Sequence, residues 1–211
     1  YCAKVNKGRK EKGEEPFKPI FGCEMYVARR TMHDKDKSMH DNSGYHLIVL
    51  AKNYNGYKNL IKLVSHAWVD GYYYRPRTDR AELEKYHEDL IVCSACIAGE
   101  IPSKIIHGDI DGAREACEWY HRVFGDDFYL ELQRHEVKDP TILANREAFP
   151  LQQKANKVLL QFAKEYGIKV VCTNDCHFED KETAEAHDHL LCLATQESLD
   201  SPTRMRYSKQ E

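Results

Sequence analysis

What most constrains the fold of this chain is an alternation. Short apolar runs rich in β-branched and aromatic residues, the first two in succession, alternate with segments whose apolar positions recur every three or four residues. The runs are Pro19 to Ala28, Tyr45 to Ala51, Leu90 to Cys96, Phe128 to Leu132 and one that opens at Val170. The helix-period segments are Tyr57 to Val69 (Leu60, Leu63, Val64, Ala67, Trp68), Glu82 to Tyr86, Pro102 to Ile106, Ile110 to Phe124, Pro150 to Tyr166 and Thr183 to Ala194 (Leu190, Leu191, Leu193). Strand and helix in turn predict an α/β fold, a parallel sheet or barrel and not a sandwich. At 211 residues the chain is one domain, or one and a piece, with room for a substantial core. In parallel α/β folds chemistry gathers at the carboxyl ends of strands.

That is where this sequence changes character. The stretch from Val170 starts as an apolar, buried strand and ends as Asp175-Cys176-His177. If the strand persists, Asp175 and His177 lie on one face, a carboxylate beside an imidazole. The alternative is that Asp175 caps the next helix and His177 is a surface residue. Other strands repeat the design. Glu24 and Glu131 sit inside apolar runs, where an unpartnered carboxylate is costly. Cys96 ends a strand, His135 lies just past the end of another, and His46 stands at the start of a further one. Ligands from several strand ends converge at a barrel mouth, and mixed carboxylate, imidazole and thiolate donors suit zinc, with manganese or magnesium at the carboxylate-rich parts. Two or three such ions make a phosphoesterase, activating water and neutralising phosphoryl charge.

Eight cysteines, spread through apolar contexts of a chain this long, read as reduced and mostly buried thiols, and eleven histidines beside them favour metal. Cys93 and Cys96 form a Cys-x-x-Cys that, with Cys172, Cys176 and His177, could close a structural zinc site or act as a redox pair. Within a strand, however, a three-residue offset points them to opposite faces. In Gly71-Tyr72-Tyr73-Tyr74-Arg75-Pro76-Arg77 the residues Arg75 and Arg77 are candidates for a phosphate or DNA contact. The competing reading is an aromatic anchor for the loop. Residues 1–15 read as the end of a helix and a solvated connection, and Arg29 to Gly44 as an exposed excursion whose His33 and His40 are solvated. A net charge of −3 gives no general attraction to nucleic acid. No apolar run approaches the ~20 residues that span a bilayer, and the N-terminus lacks a signal peptide's apolar core, so no membrane and a cytoplasmic location are expected.

Several segments together resemble a known family. They are Pro19-Ile20-Phe21-Gly22-Cys23-Glu24-Met25-Tyr26, His46 to Asn53 with Gly56-Tyr57-Lys58-Asn59-Leu60, and Tyr73 to Arg77. Phe124 to Gln133 and Thr173 to Phe178 with Ala186-His187-Asp188 complete the set. They resemble the PHP (polymerase and histidinol phosphatase) domain of bacterial DNA polymerase III alpha subunits, over nearly the whole chain. The resemblance implies a distorted (β/α)7 barrel, here incomplete because the first strands, with a His-x-His and an Asp-His motif, are expected upstream. Residues 1–197 would be the domain and 198–211 a linker toward a polymerase palm that uses Mg2+. The implied metal ligands are Glu24, His46, Cys96, Asp175 and His177, with Glu131 and His135 lining the site. They would bind up to three Zn2+ or Mn2+ ions, a metal-bound water being the nucleophile. The implied activity is 3′–5′ exonuclease proofreading within a DNA-directed DNA polymerase. The implied partners are DNA, a proofreading subunit and a sliding clamp. A non-catalytic scaffold that docks the proofreading subunit, and a free-standing phosphoesterase, are the alternatives.

Overall fold

The computed structural model describes residues 1–136, 143–180 and 182–207. Six strands are hydrogen-bonded in the order β3-β1-β2-β4-β5-β6: β1 Gly22–Ala28, β2 Gly44–Ala51, β3 Arg77–Thr78, β4 Leu90–Cys93, β5 Phe128–Leu132 and β6 Lys169–Cys172. The pairs β1/β3, β4/β5 and β5/β6 are parallel, as the alternation predicts. Among the described residues no helix is long and apolar enough to cross a membrane. The chain divides into two compact units, Tyr1–Ser43 with Ile48–Ile91, and Gly44–Leu47 with the chain from Val92 onward.

In the first unit, α1 (Cys2–Glu11) buries none of its residues and is tied to the following segment by Asn6, whose side chain bonds both backbone groups of Phe17. Met25 and Val27 of β1 point into the core, so Glu24 and Tyr26 occupy its other face. Helix α2 is Tyr54–Val69, starting three residues before the apolar period. The cause is Asn53, whose side chain accepts from the N–H groups of Asn55 and Gly56 and so caps the helix there. Leu60, Leu63 and Ala67 are buried, but Trp68, expected on the same face, is 58% exposed and stacks on Tyr72. Asp79 caps α3 (Arg80–Lys85).

In the second unit, α4 (Glu100–Ile106), α5 (Ile110–Phe124) and α6 (Leu143–Tyr166) pack on one another and α5 and α6 on β5. The Tyr120 ring lies between those of Phe124 and Phe128, and Ile101, Ile105, Leu130, Leu159 and Phe162 fill the core. Pro150 does not open α6, as the sequence suggests, but lies inside it, about two turns from its start. Strand β6 was expected to be buried. It ends the strand order, and Val170 is 36% exposed and Cys172 exposed. Helix α7 (Ala184–Thr195) buries Ala184 and Cys192 and leaves Leu190 and Leu193 exposed, against the expectation from its apolar residues. The segment after it, expected as a linker, folds back: Arg204 donates to the Asp188 carboxylate at 2.9 Å, and Tyr207 stacks on His177. Of that linker, residues 208–211 lie outside the described residues.

Candidate metal centre

Cys96 follows β4 in a turn that two features enforce. Ala95 takes a left-handed conformation (φ 63°), and a Cβ on Gly99 would lie 2.0 Å from the Ser94 carbonyl oxygen, so only glycine lets the turn close. The His46 N–H donates to the Ala98 carbonyl at 3.1 Å, which sets the His46 ring beside the turn. The Cys96 thiol and His46 Nδ1 are 3.6 Å apart. A carboxylate oxygen of Glu24, a ring nitrogen of His46 and Cys96 Sγ all lie within 4.8 Å of one another. Glu24 is exposed and the other two half-buried, so solvent and a ligand can reach the group. Carboxylate, imidazole and thiol at that separation are a donor set that fits a divalent metal ion.

Glu131 lines this region by holding it. Its carboxylate accepts from the Ala95 N–H at 2.7 Å and from the Thr173 hydroxyl at 2.6 Å, while the Glu131 N–H donates to Ser94 Oγ at 2.8 Å. One buried anion thereby fixes both the turn that carries Cys96 and the start of the segment that carries Asp175 and His177. The buried carboxylate in an apolar run thus has its partners in hydroxyl and amide groups of neighbouring strand ends.

His135 is buried as well. Its N–H donates to Gln152 Oε1 at 2.8 Å, which orients the amide so that Gln152 Nε2 donates to His135 Nδ1 at 2.8 Å. On the other side of the ring the Asp175 N–H points at His135 Nε2 from 3.4 Å. Gln152, on the helix α6, has no signal in the sequence that marks it for this task.

Strand β6 stops at Cys172, so Asp175 and His177 do not share a strand face as expected. They remain neighbours, with His177 Nδ1 donating to the Asp175 carbonyl at 2.9 Å and standing 3.8 Å from its Oδ1. Since a carbonyl only accepts, Nδ1 carries the hydrogen and Nε2 keeps its lone pair. Among the described residues, Glu24, His46 and Cys96 form the one group whose donor atoms converge, and Asp175 and His177 are not part of it. Nor do Cys93, Cys172 and Cys176 join Cys96 and His177 in a second group.

All eight cysteines are free, and three of them are buried, fewer than expected. Burial, with Glu131 adding to it, pushes the Cys93 thiol up to about 12, so it stays protonated at neutral pH and is not poised as an attacking thiolate.

The two arginines of the tyrosine-rich loop diverge. Arg77, a candidate phosphate contact, is wholly buried instead, and its guanidinium donates to the carbonyls of Gly71, Asp41, Met32 and Asp34 at 2.7 to 3.1 Å. Those bonds use four of its five N–H groups on the protein's own backbone. Arg75 is exposed and donates to the Tyr26 hydroxyl at 2.7 Å.

Residues 2–135 match the PHP domain. The chain is 40% identical over 202 residues to the DNA polymerase III subunit alpha of Borreliella burgdorferi, covering 96% of this chain and 17% of that protein. It is 39% identical over 191 residues to the subunit of the same name from Thermus aquaticus, covering 90% of this chain and 15% of that protein. The Aquifex aeolicus subunit is 37% identical over 193 residues, 88% of this chain and 15% of that protein. The chain thus spans only about a sixth of the length of the curated relatives it matches. With a match that covers well over half of its residues, the chain belongs to the PHP domain family.

Proposed function

We propose that this PHP domain is a metal-dependent phosphodiesterase that removes nucleotides from the 3′ end of DNA, acting within a bacterial replicative polymerase. The observation that carries the reading is the convergence of Glu24, His46 and Cys96 donor atoms within 4.8 Å. Similarity to proteins named DNA polymerase III subunit alpha supports the replicative setting, in the cytoplasm, with DNA, a proofreading subunit and a sliding clamp as partners. Residues 1–197 are taken as the domain, with its strands belonging to a distorted seven-unit barrel, and residues from 198 as the lead-out.

Glu24, His46 and Cys96 would hold Zn2+ or Mn2+, and His177 Nε2 with the Asp175 carboxylate would extend the same centre. A divalent ion there supplies an acidified water and charge neutralisation for phosphodiester hydrolysis. The chain's own residues do the rest. Glu131 keeps the Cys96 turn and the Thr173 segment in register, and His135 Nε2 faces the Asp175 N–H at the start of the Asp175–His177 segment.

The test pairs metal content with hydrolysis of a 3′-labelled single strand by the full-length protein. Cys96→Ala and Glu24→Gln are each expected to lower both by more than about 100-fold, beyond the loss typical of an outer-shell residue. Undiminished metal-dependent hydrolysis in Cys96→Ala would refute the proposal.

A further inference from the structure

On β1, Glu24 and Tyr26 share the face opposite the buried Met25 and Val27. β3 runs parallel to β1 with Arg77 opposite Tyr26. Arg75 lies just before β3, bridged to Tyr73. Its guanidinium lies over the Tyr26 ring, 4.8 Å from the centroid, and gives one N–H to the Tyr26 hydroxyl. Among the described residues no carboxylate pairs with it, so a positive charge is held in a set position, exposed, on the face of the strand that carries Glu24. Arg77, two residues on, shows the contrast of a guanidinium already satisfied by backbone.

The residue before Arg75 is held unusually. Tyr74 has φ 61°, a left-handed conformation that a bulky side chain adopts at a cost. Its ring is 61% exposed, standing edge-on to the Tyr73 ring at 4.9 Å and 87°. The strained backbone therefore turns an aromatic face outward next to a fixed cation. With a net charge of −3 this chain has no overall pull on a polyanion, so any contact it makes with one needs such a local device.

We propose that Arg75 and Tyr74 form a ledge for single-stranded nucleic acid beside Glu24. Arg75 takes a backbone phosphate and Tyr74 stacks on a base, feeding the strand toward the hydrolytic centre. A cation joined to an exposed ring is the pairing that single strands select, since every nucleotide offers a phosphate and a π-face. The ledge rests on the phosphodiesterase reading for its purpose, but its binding is measurable without metal.

The full-length protein, in EDTA, is photo-crosslinked to an oligothymidylate carrying 4-thiothymidine, and the labelled peptides are mapped by mass spectrometry. Label is expected on the peptide that contains Tyr74. For Arg75→Gln the half-saturation of that label should rise about tenfold, and its logarithmic salt dependence should become shallower by about 0.7, the share of one phosphate on a single strand. Tyr74→Gly should abolish the label while leaving the melting temperature equal or higher, because glycine accepts φ 61° without strain. Label confined to other regions, or an Arg75→Gln titration and salt slope equal to wild type, would overturn the ledge. So would a marked fall in melting temperature for Tyr74→Gly, which would make the ring a packing element. If hydrolysis is absent with every metal while the Arg75 effect persists, the phosphodiesterase reading fails and the ledge stands.

Discussion

Arg77 in the first unit and Glu131 in the second are both buried charges set in a strand, and both are hydrogen-bonded to segments far away in sequence. Arg77 gathers carbonyls from Met32, Asp34, Asp41 and Gly71, and so locks the path of the excursion between β1 and β2. Burial lowers the guanidinium from its ordinary value, against the opposite pull of Asp41 and Asp34. It has almost no donor left for a ligand. Glu131 accepts from the Ala95 amide and the Thr173 hydroxyl, both on segments that carry candidate ligands. A buried charge that is satisfied by a loop shapes the loop. One that is satisfied by the ends of ligand-bearing strands shapes the site.

The contrast breaks most sharply in stability. Arg77→Leu leaves four carbonyls, three of them buried, without their donor, and a loss of about 4 kcal/mol or more is expected in urea denaturation. A loss below about 1 kcal/mol would show that the excursion holds without Arg77.

Glu131→Gln should cost less in stability, about 1 to 3 kcal/mol, since an amide oxygen retains one of the two acceptor roles. Its distinctive effect belongs in the metal titration, where affinity should drop 10- to 100-fold as the Cys96 turn loosens. Unchanged affinity with a stability loss matching that of Arg77→Leu would erase the difference between the two charges.

The smallest effect concerns the excursion alone. Hydrogen bonds hold three of its carboxyls below the usual range: Arg30 on Asp41, Thr31 on Asp34 and Ser38 on Asp36. A folded-state value below the unfolded one of about 3.9 means that the unfolded chain binds protons first as pH falls. The stability these groups contribute is complete above about pH 5 and is lost on descending through pH 4 and below. Melting temperatures from pH 6 to pH 3 should trace that loss, with a shallower slope in Arg30→Gln, where Asp41 loses its main partner. An identical slope would assign the acid sensitivity to other carboxyls.

Local sequence carried the elements well where periodicity and caps agreed. The strands through Glu24, His46 and Glu131 and the helix α5 fall where their apolar spacing puts them, while the strand expected to run from Leu90 to Cys96 stops at Cys93. It misled where burial depends on neighbours. Val170, Trp68, Leu190 and Leu193 have the right spacing for a core and are exposed, because spacing says which residues share a face and nothing about what covers it. Helix α2 began early because the polar Asn53 side chain, not an apolar residue, decides where the backbone N–H groups find an acceptor.

Thus the sequence by itself determined the alternating α/β plan, the ligand-competent residues and the strand ends on which they would sit. Only the tertiary structure decided their duties. Glu24, His46 and Cys96 converge, Asp175 and His177 stand apart from them as a pair, Glu131 and His135 hold the segments around them, and Arg77 is sealed inside while Arg75 stays exposed. The physical reason is that periodicity is a property of neighbours in the chain. Whether a carboxylate, thiol or guanidinium ends as ligand, staple or anchor depends on which amides, carbonyls and hydroxyls from distant segments reach it first.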